Sequence, residues 1–471
     1  MKFSAKIGLE THVELLTKTK IFCRCKNEFS KEPDINCCEV CTGQPGAMPS
    51  LNENAVRLAV LAGTALGCEI DKYVYMARKN YVYPDLAKGY QITQSDRPLC
   101  KDGGMTLPSG SKIGIERIHI EEDAGKLRHE GRKVLIDYNR SGVPLIEIVT
   151  RPEFKSGDEV KEYLEMLTLL LRSIGVSDCK MQEGSLRCDI NISLVANGKN
   201  YERSEIKNVN SYSFAKKAVE YEIGRQKNII MAGGEPERKT RRFDSAKGET
   251  VLMRKKESGT DYRYIDEPDI LPIKVPERFI LEAKEKTADP VHEKMRRYIS
   301  SGLSYDEALA ILKYPSVTAY FEELKNLTGD DIFGAKIIRA HVFTAYKEEE
   351  RNGEILPEAS ECASVYGMIK SGRIDERFSK KIFSEMFKNK KGFSGIFSES
   401  DFSGLSDGEM KKAAKEAVSE NPGAAKDFLA GREKALFAIL GSAMRKTHGK
   451  ADHEKMKEII EKIIYENCKE K

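Results

Sequence analysis

The chain has 471 residues, 40% of them hydrophobic and 32% charged, which suits a soluble globular protein of two to four domains. Its formal net charge is only +4, so no global basic field marks it for nucleic acid, and any RNA contact has to be a local patch. The opening MKFSAKIGLE lacks the apolar core of a signal peptide, no run of about 18 apolar residues offers a membrane span, and 11 cysteines, an odd number, point to a reducing cytoplasm.

The first predicted element is a strand, IGLETHVEL (7–15). Period two puts Ile7, Leu9, Thr11, Val13 and Leu15 on one face and Gly8, Glu10, His12 and Glu14 on the other. CRCKNEFSKEPDINCCEVC (23–41) follows and holds five of the 11 cysteines. Cys23 and Cys25 form C-x-C, and Cys38 and Cys41 form C-x-x-C, with Cys37 as an alternative ligand. Two short-spaced thiolate pairs joined by a loop suit a tetrahedral Zn²⁺ site, and four thiolates leave no open position, so the site is a structural clip. A disulfide pair is the rival reading, at odds with a reducing compartment.

Asn52 to Ala65 is predicted helical, capped by Asn52 and stopped at Gly67. IGIERIHIEEDAGK (113–126) is a strand running into Glu121-Glu122-Asp123, three adjacent carboxylates that repel one another. VPLIEIV (143–149) places Glu147 inside an otherwise apolar strand, where an unpaired charge is costly. A helix with one apolar face is predicted over 156–174. In GSLRCDINISL (184–194), Arg187, Asp189, Asn191 and Ser193 oppose an apolar face, and in SEIKNVNSY (204–212), Glu205 and Lys207 share one. A third helix spans 213–231. Strands and helices in this order imply an α+β domain with a mostly antiparallel sheet.

After about residue 275 strand signals fade and helical periods dominate, at 291–300, 304–313, 334–348, 376–388, 407–420, 422–441 and 453–467. FSGIFSESDFSGLSDGE (393–409) is a Ser/Gly-rich joint. A G-x-S-x-G match at 404–408 has no strand before it, and Ser406 sits where a helix cap belongs, so it reads as chance.

Five segments thus carry acids on strands. If the sheet aligns them, the result is a cavity of carboxylates and one imidazole, stable only with cations in it. Hard oxygen ligands suit Mg²⁺, which takes phosphates as further ligands. Separate surface ion pairs are the plain alternative.

IGLETHVEL, FCRC…CEVCTGQPGAMPSLN, RKNYVYPDLAKGYQITQ, HIEEDAGK, DYNRSGVPLIEIVTRPEF, EGSLRCDINISL, EIKNVNSY, TRRFD, DYRYIDEPD and, near the end, GSAMRKTHGKAD resemble, in order, the signatures of the B-type chain of the Asp/Glu-tRNA amidotransferases. The resemblance implies a cradle-like catalytic domain over 1–285, a helical domain over 286–405 and a small tRNA-binding helical tail over 406–471. It implies ATP-dependent phosphorylation of the side-chain carboxylate of Glu-tRNA(Gln) or Asp-tRNA(Asn). Amidation follows, with ammonia from a glutaminase partner, the A component, while a small C component braces the complex. It places a steadily bound Mg²⁺ at His12, Glu122 and Glu147, with Glu10 close by, and a second at Glu122 and Glu205, with Asp189 and Glu121 as secondary candidates. Arg187 and Lys207 are candidates for ATP phosphate, Lys79 and Lys88 for the ammonia path, and Arg445, Lys446 and Lys450 for tRNA. Two rivals use the same residues differently: a zinc-clipped RNA-binding scaffold without chemistry, which has no use for a buried Glu147, and a metal-dependent phosphohydrolase.

Overall fold

A computed structural model of the chain describes residues 1–207, 209–255, 262–374, 376–397, 407–447, 451 and 453–469. Two compact units divide it, Met1–Lys313 and Tyr314–Lys471.

The first unit is built on a twisted sheet. Its strands are β1 (Phe3–Glu14), β2 (Cys100–Thr106), β3 (Lys112–Glu122), β4 (Pro144–Thr150), β5 (Leu186–Ala196), β6 (Ser204–Lys207), β7 (Lys239–Asp244) and β8 (Glu249–Lys255). Their order across the sheet is β8-β7-β6-β5-β1-β4-β3-β2, ending on the short strand Glu69–Ile70. Only β6 and β7 run parallel in this series. β1 is central, and Ile7, Leu9 and Val13 are fully buried on one of its faces.

Helices close over that apolar face. α1 (Glu53–Ala65) packs on β2 and β3, while α3 (Tyr212–Met231) packs on α2 (Gly157–Ser173), β5 and β8. Each starts at a side-chain cap, with Asn52, Ser156 and Ser211 accepting from the amides of Asn54, Glu159 and Phe214. The cap at Ser211 revises the strand expected over 204–212: β6 ends at Lys207, and the rest turns into α3. The first unit also runs past the composition change near 275. α4 (Glu277–Lys286) packs on α1 and α5 (Val291–Ser300) on α2, while Tyr305, which opens α6 (Tyr305–Leu312), donates its hydroxyl to Glu165 at 2.8 Å.

The second unit is helical throughout its described residues, as expected. It opens with Pro315 at the first helical position of α7 (Pro315–Thr328), which ends on Gly329 at φ +68°. The expected helix 422–441 is broken into Pro422–Leu429 and Leu436–Lys446, because Gly431 (φ +88°) turns the chain between them. The segment from 407 onward has its own core, in which Met410, Ala414, Ile439, Leu440, Met456 and Ile460 are buried together. Residues 398–406 of the Ser/Gly joint, including Gly404 to Ser406 of the G-x-S-x-G match, lie outside the described residues. No described helix is long and apolar enough to cross a membrane.

Candidate active site and metal centres

The antiparallel register turns the alternation of four strands into one polar surface. β1 pairs His12 with Glu147 of β4 and, on its other side, with Arg187 of β5. Glu147 in turn faces His119 of β3. Two residues along, Glu10 faces Asp189, and Asn191 faces Glu205 of β6. Of these, Glu10, His12, His119, Glu147, Asp189 and Glu205 line a cavity of about 1040 Å³, which Lys79, Tyr262 and Tyr264 also border.

Two ligand groups form inside it. His12, Glu121 and Glu147 bring a nitrogen and two carboxylate oxygens within 4.8 Å of one another, and Glu10, Asp189 and Glu205 do the same with three oxygens. His12 Nε2 lies 3.3 Å from Glu121 and 3.7 Å from Glu147. Lys207 reaches Asp189 at 2.5 Å and Glu205 at 3.4 Å, Asn191 donates to Glu10 at 3.0 Å, and Thr240 donates to Glu205 at 2.9 Å.

The electrostatics are those of a crowded anionic site. Burial pushes the Glu10 carboxyl above its ordinary value, and the charges of Glu147, Asp189 and Glu205 push it further. Burial also opposes charge on His119, yet hydrogen bonds to Glu121 and Glu147 raise it to about 9. Burial likewise works against charge on Glu121, but the hydrogen bonds from His119 and His12 hold its carboxyl well below the carboxylate range. Carboxylates crowded this closely around one cavity form the donor set a hard divalent cation takes. The residues therefore fit Mg²⁺.

The cysteine expectation is met as a cluster. Cys23, Cys25, Cys38 and Cys41 bring four sulfurs within 4.8 Å of one another. The Cys23–Cys41 and Cys38–Cys41 sulfur separations are 3.5 and 3.9 Å. A tetrahedral site with Zn–S bonds of about 2.3 Å needs edges of about 3.8 Å. Lys20 supplies an independent sign. It is fully buried, and its ammonium donates to Cys41 Sγ at 3.4 Å and to the Tyr138 carbonyl at 3.3 Å. A buried cation requires a nearby anion, and a tetrathiolate metal centre is one. Cys37 is turned elsewhere, its thiol donating to the Asp34 carbonyl at 3.0 Å.

The remaining expected residues divide. Glu122, expected to ligate with His12 and Glu147, is not brought to them. Its carboxylate takes Lys88 Nζ at 2.6 Å and the Ile92 amide at 2.8 Å, and Glu121 stands in the place foreseen for it. Lys88 is thus an ion-pair partner, while Lys79 borders the cavity with its ammonium 4.6 Å from the Tyr262 ring. Arg187 donates from one terminal nitrogen to Asp123 at 2.8 Å while its buried Nε has no partner, and Lys207 lines the cavity beside the acids. Arg445 is exposed on the tail, Lys446 is paired with Glu416 and Glu420, and Lys450 lies outside the described residues.

His119 and Lys20 were missed by sequence reasoning. A signal for His119 exists. The apolar residues of β3 run Ile113, Ile115, then Ile118 and Ile120, so the spacing slips by one between 115 and 118. The structure has a bulge there: Thr150 faces Ile115, and the adjacent Val149 faces Arg117. Beyond it, Ile118 and Ile120 take the apolar face, which leaves His119 and Glu121 for the cavity and turns Glu122 away from it.

Comparison with known proteins agrees with this geometry. Residues 5–281 match the family described as the GatB/GatE catalytic domain, and residues 319–464 match the GatB domain. A protein of Ruminiclostridium cellulolyticum, named as the B-type chain of an aspartyl/glutamyl-tRNA(Asn/Gln) amidotransferase, is 41% identical over 470 residues, covering 98% of this chain and 97% of its own. Proteins of the same name from Caldicellulosiruptor saccharolyticus and Clostridium tetani are each 41% identical, the first covering 98% of both chains and the second 99%. With relatives aligned from end to end and the catalytic-domain match enclosing every residue of the cavity, the chain belongs to the GatB/GatE family, that of the B-type chains of the aspartyl/glutamyl-tRNA(Asn/Gln) amidotransferases, components of a ligase.

Proposed function

We propose that this chain is the activating component of a tRNA-dependent amidotransferase acting in the cytoplasm. It transfers the γ-phosphate of ATP to the side-chain carboxylate of Glu-tRNA(Gln), Asp-tRNA(Asn) or both. The products are an acyl phosphate and ADP. Ammonia then attacks the acyl carbon, phosphate leaves, and the amide remains. The ammonia comes from glutamine hydrolysed in a partner amidase, the A component, and a small C component completes the complex.

One observation carries the reading: two adjacent groups of hard ligands on one sheet face, inside a cavity large enough for a nucleotide phosphate and an amino-acid side chain. Phosphorylating a carboxylate brings two anions together, and divalent cations bound there would screen that charge. His12, Glu121 and Glu147 would hold one, and Glu10, Asp189 and Glu205 a second. Lys207 is the cationic side chain best placed to meet phosphate among these acids. Arg187 has a lesser part, because Asp123 engages it. Lys79, on the cavity border, is the candidate for steering ammonia. The tetrathiolate cluster would hold a structural Zn²⁺ that fixes the 23–41 loop.

Residues 406–471, with their own core, read as a separate domain that grips tRNA through phosphate contacts, Arg445 among them. Amidation of each charged tRNA by the complex reconstituted with its A and C components tests the whole proposal. Failure to amidate either, with glutamine hydrolysis intact, refutes it.

A further inference from the structure

Two imidazoles flank the same pair of carboxylates, and they are not equivalent. Glu147 lies between His12 on β1 and His119 on β3 in the register. His119 Nε2 is 3.0 Å from Glu147 Oε2 and 3.5 Å from Glu121 Oε2. His12 Nε2 approaches the other oxygen of Glu121, Oε1, at 3.3 Å. The His12 side chain is 24% exposed toward the cavity, whereas that of His119 is 8% exposed. His119 is also closed off behind the ring. His119 Nδ1 is buried and has no hydrogen-bond partner. A histidine that ligates a metal through Nε2 is normally oriented by a hydrogen bond from Nδ1–H to a carboxylate, carbonyl or water. His119 has no protein group in that place, and its Nε2 is turned to the two carboxylates themselves. Its Nε2 stands within reach of one oxygen of each carboxylate, so it is built as a donor to both.

We propose that His119 is a positioning residue: its Nε2–H holds Glu121 and Glu147 by one oxygen each, so that both carboxylates present their remaining lone pairs to the cation that His12 ligates. This rests on the cation reading proposed above. It assigns the two imidazoles different work, one inside the coordination sphere and one behind it. Second partners of this kind fix the rotamer of a carboxylate that would otherwise be pushed away by its acidic neighbours.

The test uses the full chain stripped with chelator, with Mn²⁺ as the probe. Electron paramagnetic resonance titration gives the affinity, and electron spin echo modulation reports the nitrogens coupled to the ion. Wild type should show one coupled imidazole, lost in His12→Gln and retained in His119→Gln. His119→Leu should weaken Mn²⁺ binding by about 10–100-fold, the usual effect of losing an outer-sphere partner. His119→Gln, whose amide N–H can reach the same carboxylates, should recover most of it. A purely structural role would show as lost thermal stability without this split between Leu and Gln. Wild-type affinity in a folded His119→Leu overturns the inference, as does disappearance of the nitrogen coupling in His119→Gln, which would make His119 a ligand. If His119→Leu does not fold, the coupling in His119→Gln decides alone. Failure of wild type to bind Mn²⁺ at all overturns the cation reading itself, and the inference with it.

Discussion

Glu121 and Glu122 are adjacent in sequence and opposite in surroundings, so the pair of substitutions Glu121→Gln and Glu122→Gln tests the site assignment with little change in composition. Glu121 sits between two imidazoles, 3.3 Å from His12 and 3.5 Å from His119. Two unit charges at that distance interact by about 5 kcal/mol at an effective dielectric of about 20. A cation entering the site meets the same carboxylate. Removing one partner from such a buried charge cluster costs about 3–5 kcal/mol, which corresponds to roughly 10²–10³-fold or more in dissociation constant. Glu121→Gln should therefore abolish measurable Mn²⁺ or Mg²⁺ binding in the micromolar range and, with it, ATP-dependent activation of the charged tRNA. Glu122→Gln should behave differently. Its carboxylate faces Lys88 and the Ile92 amide, so the loss falls on stability, with metal affinity nearly unchanged. Isothermal titration with metal, paired with thermal melts, separates the two outcomes. If Glu122→Gln loses the metal and Glu121→Gln keeps it, the register of β3 and the assignment built on it are wrong.

Three further outcomes are expected. Elemental analysis should find about one Zn²⁺ per chain, and Cys25→Ser or Lys20→Met should lower zinc retention and melting temperature together; unchanged values would remove the clip. In the metal-free protein, burial and the charge of Asp123 raise the Glu14 carboxyl from 4.5 to about 7, so the folded state binds a proton the unfolded chain has released. Stability from this group is present at acidic pH and is lost as pH rises through about 4.5 to 7; Glu14→Gln should flatten that slope in urea melts and stabilise the protein near pH 8 by about 1–3 kcal/mol. Removing residues after about 405 should leave a folded first unit with an unchanged KM for ATP, a raised KM for charged tRNA and a shallower salt dependence, and an unchanged tRNA KM with an unchanged salt slope would show that the tail does not grip tRNA.

Much of the fold was legible because its elements bury one face. The alternation in 7–15 and 184–194 located β1 and β5, the apolar run around Glu147 in 143–149 located β4, and the apolar period of 156–174 located α2. Misreadings arose where a local signal outweighed the pattern. In 204–212 the alternation of Glu205, Ile206 and Lys207 stops at Asn208, and Ser211 caps a helix instead. In 422–441 the apolar period survives a glycine that the backbone uses to turn. The attachment of α5 and α6 to the first unit was not legible, since which surface a helix packs on depends on contacts far away in sequence.

The site shows the same limit more sharply. That acids gather on one sheet face follows from period two, and His12, Glu147, Glu10, Asp189 and Glu205 all obey it. The choice between Glu121 and Glu122 depends on a single residue of phase, because a one-residue slip moves every later side chain to the other face. The slip is written in the sequence as the three-residue step from Ile115 to Ile118, and the bulge opposite Thr150 realises it. Ile118 and Ile120 then set the parity: two apolar side chains must go to the helices, so His119 and Glu121 must go to the cavity. The same bulge that selects Glu121 as the ligand also delivers His119 behind it, which is why the donor and the acid it holds sit two residues apart on one strand. Deleting Glu116 should remove the bulge and leave Ile113, Ile115, Ile118 and Ile120 in unbroken alternation, with His119 and Glu121 still on the cavity face. The expected result is a folded variant that keeps its metal affinity and still loses it on Glu121→Gln, and a folded variant whose metal affinity instead depends on Glu122 would refute the parity argument.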